Sequence, residues 1–382
     1  MASAVARARS PIARTVPKIV SVFEHLPSPT LAKFSHEQRI NLVAPPAGLS
    51  FVELNRWFLT QLDGAHAAIV WPAVRFGPEH IRTVRTQADA FKVVSTFSVG
   101  TDAIDTAACR EAGIKVGYTP YIADDAVAEY TVSMLLHYCR RMDALRELVA
   151  EGKFAQSMRD VLRNPTMHCG FSPAGKAVGF YGFGRIAQKT AEKLLPFGVA
   201  SIAYTSSTSR PFTQDNFPRL HALRETFYPH TQITNEPSLH ELAAQTDILI
   251  VLCPETPSTV ASANASVFER TKPNAVLINV ARGSIVVNQD LEDALRRRQL
   301  SAALLDVVQG EPHIDASHPL LAEDLNDRVL VLPHAASTLV ETRTMMAEVT
   351  ARNVLTQLGF EDELPGDQPA LMKQHAWTHF AA

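Results

Sequence analysis

The chain has 382 residues, 46% hydrophobic and 20% charged, with 36 Lys and Arg against 39 Asp and Glu for a net charge of -3. That length exceeds what one hydrophobic core normally fills, so two domains are expected. The charge balance argues against nucleic acid as the main partner, the longest apolar runs (247–253 and 329–332) are too short to cross a bilayer, and Cys109, Cys139, Cys169 and Cys253 show neither paired spacing nor a metal-ligand pattern; no metal is expected.

Residues 1–17 read as a basic tail, with Arg7, Arg9 and Arg14 and no acid. Mitochondrial presequences share that composition, but Pro11 and Pro17 interrupt an amphipathic helix, so a cytoplasmic location is expected and the mitochondrial matrix is the alternative. Short β-branched runs at 18–23, 40–43, 67–71, 92–96 and 115–118 predict the strands of a first open α/β unit. A single long helix is predicted over 125–149, capped by Asp124 or Asp125, and 151–173 reads as a loop-rich connection.

A strand at 176–181 then runs into Gly182-Phe183-Gly184-Arg185-Ile186-Ala187 and a helix over 185–195. Further strands are predicted at 200–204, 248–252, 275–279, 302–305 and 329–332, with helices at 238–244, 289–298 and 338–358 between and after them. The fold class is α/β, with two doubly wound parallel-sheet domains. A Rossmann cofactor domain (124–342) is inserted in a flavodoxin-like substrate domain (18–123 and 343–382).

The run G-x-G-x-x-A lies where a strand turns into a helix. Gly182 permits the tight turn, Gly184 lets the backbone approach a pyrophosphate, and Ala187 is small enough for close helix packing. About 20 residues on, an NAD site carries Asp or Glu for the ribose hydroxyls; here the segment is Tyr204-Thr205-Ser206-Ser207-Thr208-Ser209-Arg210. With no acid to repel a 2′-phosphate, and with Ser206, Ser207 and Arg210 able to bind one, NADPH is favoured over NADH. The alternative is that Arg210 points into solvent and the serines form a turn.

Three later segments each follow a strand and deliver a polar group: Val280-Ala281-Arg282-Gly283, the stretch from Leu305 through Asp306 to Glu311 and Pro312, and Leu332-Pro333-His334-Ala335-Ala336. Carboxyl ends of parallel strands face a ligand crevice, so the three groups can converge. The trio fits hydride transfer to a 2-oxo acid: Arg282 clamps the carboxylate, His334 donates the proton, and Glu311 holds the imidazole. Asp306 either reaches the nicotinamide end of the cofactor or caps the loop after its strand.

In this order after the glycine loop, these segments resemble the D-isomer-specific 2-hydroxyacid dehydrogenase family, nearest in wording to glyoxylate/hydroxypyruvate reductases. Residues 94–102 (VSTFSVGTD) and 116–120 (VGYTP) carry that nearer likeness. The resemblance implies substrate carboxylate binding by the backbone of Ser98-Val99-Gly100, so by Val99 and Gly100, together with Arg282 and His334. It implies cofactor contacts at Phe183 through Ile186, Pro254, Thr259, Val280, Asp306 and Ala336, and a homodimer built on the 125–149 helix and the stretch beyond it. The chain departs from the family's pattern in having Ala335-Ala336 where Ile-Gly usually follows the histidine, and in lacking tryptophans over 153–169. The expected activity is reduction of small 2-oxo acids such as glyoxylate and hydroxypyruvate with NADPH, or with NAD as cofactor. The alternatives are a 2-ketogluconate or D-lactate type dehydrogenase, or a dinucleotide-sensing binding protein of the corepressor kind.

Overall fold

The computed structural model describes residues 16–85, 90–366 and 380–381. The basic tail read from the sequence therefore lies, up to residue 15, outside the described residues. The chain divides into two compact units, Met1–Ile122 with Arg343–Ala382, and Ala123–Thr342.

The first unit runs β1 (Lys18–Ser21), α1 (Pro29–His36), β2 (Asn41–Val43), α2 (Phe51–Gln61), β3 (Ala67–Val70), α3 (Pro78–Arg85), β4 (Val93–Thr96), α4 (Thr106–Glu111) and β5 (Lys115–Gly117). Its strands form one parallel sheet in the order β2-β1-β3-β4-β5. Every residue of β3 and β4 is buried, as parallel strands are when helices cover both faces. Helix starts are written locally. Ser28 accepts the N–H of Leu31 ahead of a proline at the first helical position, and Ser50 and Glu53 form a reciprocal capping box.

The second unit runs α5 (Asp124–Cys139), α6 (Met142–Ala150), α7 (Phe154–Arg163), β6 (Ala177–Tyr181), α8 (Arg185–Leu194), β7 (Ser201–Thr205), α9 (Pro218–Phe227), β8 (Gln232–Asn235), α10 (Leu239–Gln245), β9 (Ile248–Val251), α11 (Ala265–Phe268), β10 (Ala275–Asn279), α12 (Asn288–Arg296), β11 (Leu300–Leu305) and β12 (Val329–Val331). These strands make a parallel sheet in the order β12-β11-β10-β9-β6-β7-β8. Chain order reverses between β6 and β9, the switch point at which such sheets bind ligands beyond the strands' carboxyl ends. A last helix, α13 (Val340–Gln357), supplies the first unit's core with Met346, Ala347, Val354 and Leu355. From the same helix Asn353 donates to Ser95 Oγ at 3.3 Å and to Tyr118 O at 3.1 Å, and Glu348 accepts from Ser28 Oγ at 2.6 Å.

Several expectations need correction. The long helix of 125–149 is two helices, because the chain turns at Arg141 in the left-handed region (φ 51°). Neither Asp124 nor Asp125 caps α5. Its N-cap is Ala123, without a side-chain bond, and both acids sit in the first turn and reach α8 instead. Asp124 Oδ2 accepts from Arg185 Nε at 2.8 Å, and Asp125 Oδ2 from Lys189 Nζ at 2.6 Å. The stretch 151–173 contains α7 rather than only loop, and α9 and β8 fill a region for which the sequence pattern offered no element.

Candidate functional site

The glycine loop leaves the carboxyl end of β6, next to the switch point. Gly182 adopts φ 90°, and a Cβ there would lie 2.5 Å from Cys253 Cα and 2.6 Å from Cys253 N, so glycine is required both by conformation and by close approach of the chain after β9. Gly184 is the N-cap of α8 and offers no side-chain bond to its first turn; a Cβ at Gly184 would meet nothing within 4 Å. Open space thus lies over a helix N-terminus with no acid in its first turn, which fits an anionic group such as a pyrophosphate. Ala187 is buried against the sheet and Ile186 half-buried, while Arg185 is held to Asp124.

Phe183 turns inward, 4% exposed, and stacks on Tyr204 with ring centroids 4.1 Å apart. Beyond Tyr204 the segment 205–211 is strapped down. The Tyr204 hydroxyl donates to Arg210 O, the Arg210 N–H donates to Asn235 Oδ1 at 3.3 Å, and Asn235 Nδ2 donates to Tyr204 O at 3.2 Å. The Arg210 guanidinium lies 4.5 Å from the centre of the Phe217 ring and donates to Asn216 O at 2.7 Å; it does not extend freely into solvent. Among the described residues it has no carboxylate partner. Ser206 Oγ donates to Thr208 O at 2.7 Å, and Ser207 is exposed. Sequence reasoning missed Asn235 and Phe217, because both lie in or beside elements it did not recognise.

After β9, Thr259 Oγ1 donates to Pro254 O at 2.7 Å and accepts the N–H of Thr256 at 2.8 Å, closing the loop beside Gly182. Val280, at the end of β10, is buried. Arg282 follows; its carbonyl accepts from Asn279 Nδ2 at 2.9 Å and its Nη1 donates to Ala281 O at 2.7 Å. Because β10, β11 and β12 are neighbours, Arg282, Glu311 and His334 all leave the same edge of the sheet.

Glu311 and His334 meet directly: His334 Nδ1 lies 3.2 Å from Glu311 Oε1, each side chain about one-third exposed (33% and 31%). His334 occupies the left-handed region at φ 53°, an uncommon conformation for a non-glycine residue. Its N–H donates to Asp306 O at 2.8 Å. The Asp306 side chain, 1% exposed, takes the N–H of Ala335 on Oδ1 at 2.7 Å and that of Ala336 on Oδ2 at 2.9 Å. Asp306 thus caps the turn after the neighbouring strand β12, rather than the loop that follows its own strand β11.

In the first unit, Ser98-Val99-Gly100 turns away from the carboxyl end of β4. Thr119 N donates to Ser98 O at 2.9 Å, Ser98 Oγ donates to Gly100 O, and Val99 and Gly100 are half-buried. No group of three or more metal-binding side chains occurs among the described residues, and no helix among them is long and apolar enough to cross a membrane.

Comparison with known proteins agrees with this layout. Residues 132–336 match the model of the D-isomer specific 2-hydroxyacid dehydrogenase, NAD binding domain. The chain is 36% identical over 267 residues to the human glyoxylate reductase/hydroxypyruvate reductase, covering 70% of this chain and 74% of that protein. It is 34% identical over 291 residues to the glyoxylate reductase of Thermofilum pendens, covering 76% and 77%. Among solved structures it is similar to an NADPH-dependent glyoxylate/hydroxypyruvate reductase from Sinorhizobium meliloti in complex with NADP and malonate, with a TM-score of 0.69, 26% identity and coverage of 90% of this chain and 94% of that one. With the glycine loop at the switch point and the Glu311–His334 pair at the same sheet edge, the chain belongs to the D-isomer specific 2-hydroxyacid dehydrogenases, NAD(P)-dependent oxidoreductases acting on 2-oxo acids.

Proposed function

We propose that this protein is an NADPH-preferring reductase of small 2-oxo acids, glyoxylate and hydroxypyruvate, to D-2-hydroxy acids. The carrying observation is the Glu311–His334 contact at 3.2 Å, on a histidine whose backbone is fastened by Asp306. With Nδ1 turned to Glu311, Nε2 is the ring nitrogen for the substrate. His334 gives its proton to the carbonyl oxygen in reduction and takes it back in oxidation, and Glu311 keeps the ring from rotating away. Arg282 pairs with the substrate carboxylate, joined by the backbone N–H groups of Val99 and Gly100. When bound, the reduced nicotinamide supplies the hydride. Gly182, Gly184 and the first turn of α8 hold its pyrophosphate, with Phe183, Arg185, Ile186, Pro254, Thr259, Val280, Asp306 and Ala336 lining the remainder.

The preference for NADPH is supported by the Arg210 guanidinium. It is preordered on Phe217 and by Asn216 O, and its bond to Asn216 O takes one of its five N–H donors. No acid stands in the segment from Tyr204 to Arg210 to repel a 2′-phosphate, and Ser206 and Ser207 add hydroxyls.

We further propose a homodimer through α6 and α7. Their exposed apolar side chains include Met142 (54%), Val149 (55%), Phe154 (60%), Met158 (60%) and Leu162 (86%), a patch that favours an apolar partner, here a second copy. A monomeric mass by light scattering overturns that part.

The function is tested by steady-state kinetics on glyoxylate, hydroxypyruvate, pyruvate and 2-ketogluconate with NADPH and NADH. Glyoxylate and hydroxypyruvate with NADPH should give the highest kcat/KM, and His334→Ala should lower kcat about a thousandfold with cofactor affinity retained. A better rate on pyruvate or 2-ketogluconate moves the protein to another branch of the family; tight binding of the dinucleotide without turnover favours a sensor.

A further inference from the structure

Asn279, the last residue of β10, was read from the sequence only as the end of a strand, and it is fully buried (0% exposed). A polar side chain at that depth needs partners for both ends of its carboxamide, and it has them within the next three residues. Its Oδ1 accepts the N–H of Ala281 at 3.1 Å, and its Nδ2 donates to Arg282 O at 2.9 Å. An acceptor thus faces an N–H and a donor faces a carbonyl; exchanging the two amide atoms would set like against like, so the partners fix the orientation. The backbone carbonyl of Asn279 takes the N–H of Asp306 at 2.9 Å. The residue is anchored in the sheet by its main chain and grips the following turn by its side chain.

That turn is the mount of Arg282. The carbonyl of Ala281 lies between the two gripped groups, and it accepts from Arg282 Nη1 at 2.7 Å. Downstream, Arg282 O also accepts the N–H of Ile285 at 3.3 Å, the longer of its two bonds, and Gly283 is packed against the Val308 backbone. Those contacts hold the chain after Arg282; the N–H of Ala281, ahead of it, is held by Asn279. We propose that Asn279 is a positioning residue for Arg282: by clamping the turn on both sides it aims the carbonyl on which the guanidinium rests, and so sets where the substrate carboxylate is met. This rests on the carboxylate-binding role proposed for Arg282. A guanidinium meets a carboxylate through two parallel N–H bonds, so an Arg282 that rotates freely keeps its charge and loses the fork. Serine at 279 separates the two grips. Its hydroxyl can close the same turn onto the N–H two residues on, more weakly than asparagine does, but it has no second group to reach Arg282 O.

The test is Asn279→Ala and Asn279→Ser in the full chain, with three readouts: kcat and KM for glyoxylate with NADPH, the Kd of NADPH, and the order of the Arg282 Nε–H group by NMR in protein without cofactor or substrate, its signal being the one lost in Arg282→Lys. Asn279→Ala should raise KM for glyoxylate by about tenfold to thirtyfold and lower kcat by about threefold or less, with NADPH affinity held within about twofold. The order parameter of the Arg282 signal should fall from about 0.85, the level of rigid backbone, to below about 0.6. Asn279→Ser should lie between Asn279→Ala and the wild type in KM and in order, and it carries the test if Asn279→Ala does not fold. In an Arg282→Ala background Asn279→Ser should add no further loss of kcat/KM. A lower Tm with KM and the Arg282 signal unmoved would mean that Asn279 only caps its strand, and the proposal is then wrong; a loss confined to kcat, or additive losses in the double variant, overturns it as well. If the wild-type protein reduces none of the oxo acids, the function reading fails by itself, and the order parameter still decides whether Asn279 positions Arg282.

Discussion

Gly283 sits where the loop after β10 passes beneath the loop after β11, and the effect of Gly283→Ala can be worked from that packing. The added Cβ would stand 2.2 Å from Val308 C, 2.3 Å from Val308 O and 2.5 Å from Gln309 N, all backbone atoms that no rotamer change can remove. Ordinary contact begins near 3.4 Å, so the two loops must separate by about 1.2 Å. Three residues beyond Val308 stands Glu311, whose carboxylate reaches His334 Nδ1 at 3.2 Å. A shift of that size stretches the contact past hydrogen-bonding range and releases the imidazole. Misplacement by about 1 Å costs on the order of a hundredfold in rate, and overpacking costs about 1–3 kcal/mol of stability. Gly283→Ala should therefore lower kcat by about tenfold to a hundredfold and lower the Tm by several degrees, while dinucleotide affinity changes little. Steady-state kinetics, calorimetry and cofactor fluorescence read the three quantities. A variant with wild-type kcat and wild-type Tm would show that the loops separate without cost and that Gly283 does not set the position of Glu311.

Arg210→Ala should raise KM for NADPH by about tenfold and leave KM for NADH nearly unchanged, and equal effects on both remove the phosphate-binding argument. Burial pushes the thiols of Cys109 and Cys253 up to about 12 and that of Cys139 up to about 11, whereas Cys169 is exposed. Iodoacetamide at pH 7.5 should thus modify Cys169 and leave the other three unmodified until the chain unfolds; mass spectrometry showing early labelling elsewhere would contradict that burial. His80, packed between Phe58 and Phe76, is held below the ordinary imidazole value of 6.5 by burial, against a smaller opposing effect of Glu79. The unfolded chain then binds a proton near pH 6.5 that the folded chain refuses, so stability should fall as pH drops below that value and level off below the folded pKa. In His80→Gln this part of the slope should vanish, and urea midpoints with an unchanged pH slope would count against it.

The central strands were legible because each is a short buried apolar run: the predicted 67–71, 248–252 and 275–279 agree within a residue with β3, β9 and β10, whereas β8, more polar and largely unburied, was not. Turn chemistry made the glycine loop legible as well, since Gly182 needs both its positive φ and its missing Cβ. The helix break at Arg141 carries no glycine or proline to announce it. The helix α7 does carry a helical stripe, Phe154, Met158, Val161 and Leu162, but Gly152 and Pro165 flank it and its apolar residues are exposed, so composition pointed to a connection. Arg282, Glu311 and His334 could be read as strand-end residues. What the linear order hid were long-range acceptors and donors such as Asn235 for the Arg210 segment and the amides of Ala335 and Ala336 for Asp306, which only the packed sheet brings into reach.

The return of α13 to the first unit bears on how this chain folds as it is made. Residues 123–342 are contiguous, so their sheet can close as soon as β12 has been synthesised. The earlier-made unit cannot finish on its own. Glu348, which receives Ser28, and Asn353, which bonds Ser95 and Tyr118, come more than two hundred residues after those partners. During synthesis the amino-terminal sheet must wait with one apolar face lacking Met346, Ala347 and Val354, while the later-made unit is already compact. A ribosome-bound chain stopped before α13 should be the form most dependent on chaperone protection, and its protease-sensitive half should be the one synthesised first.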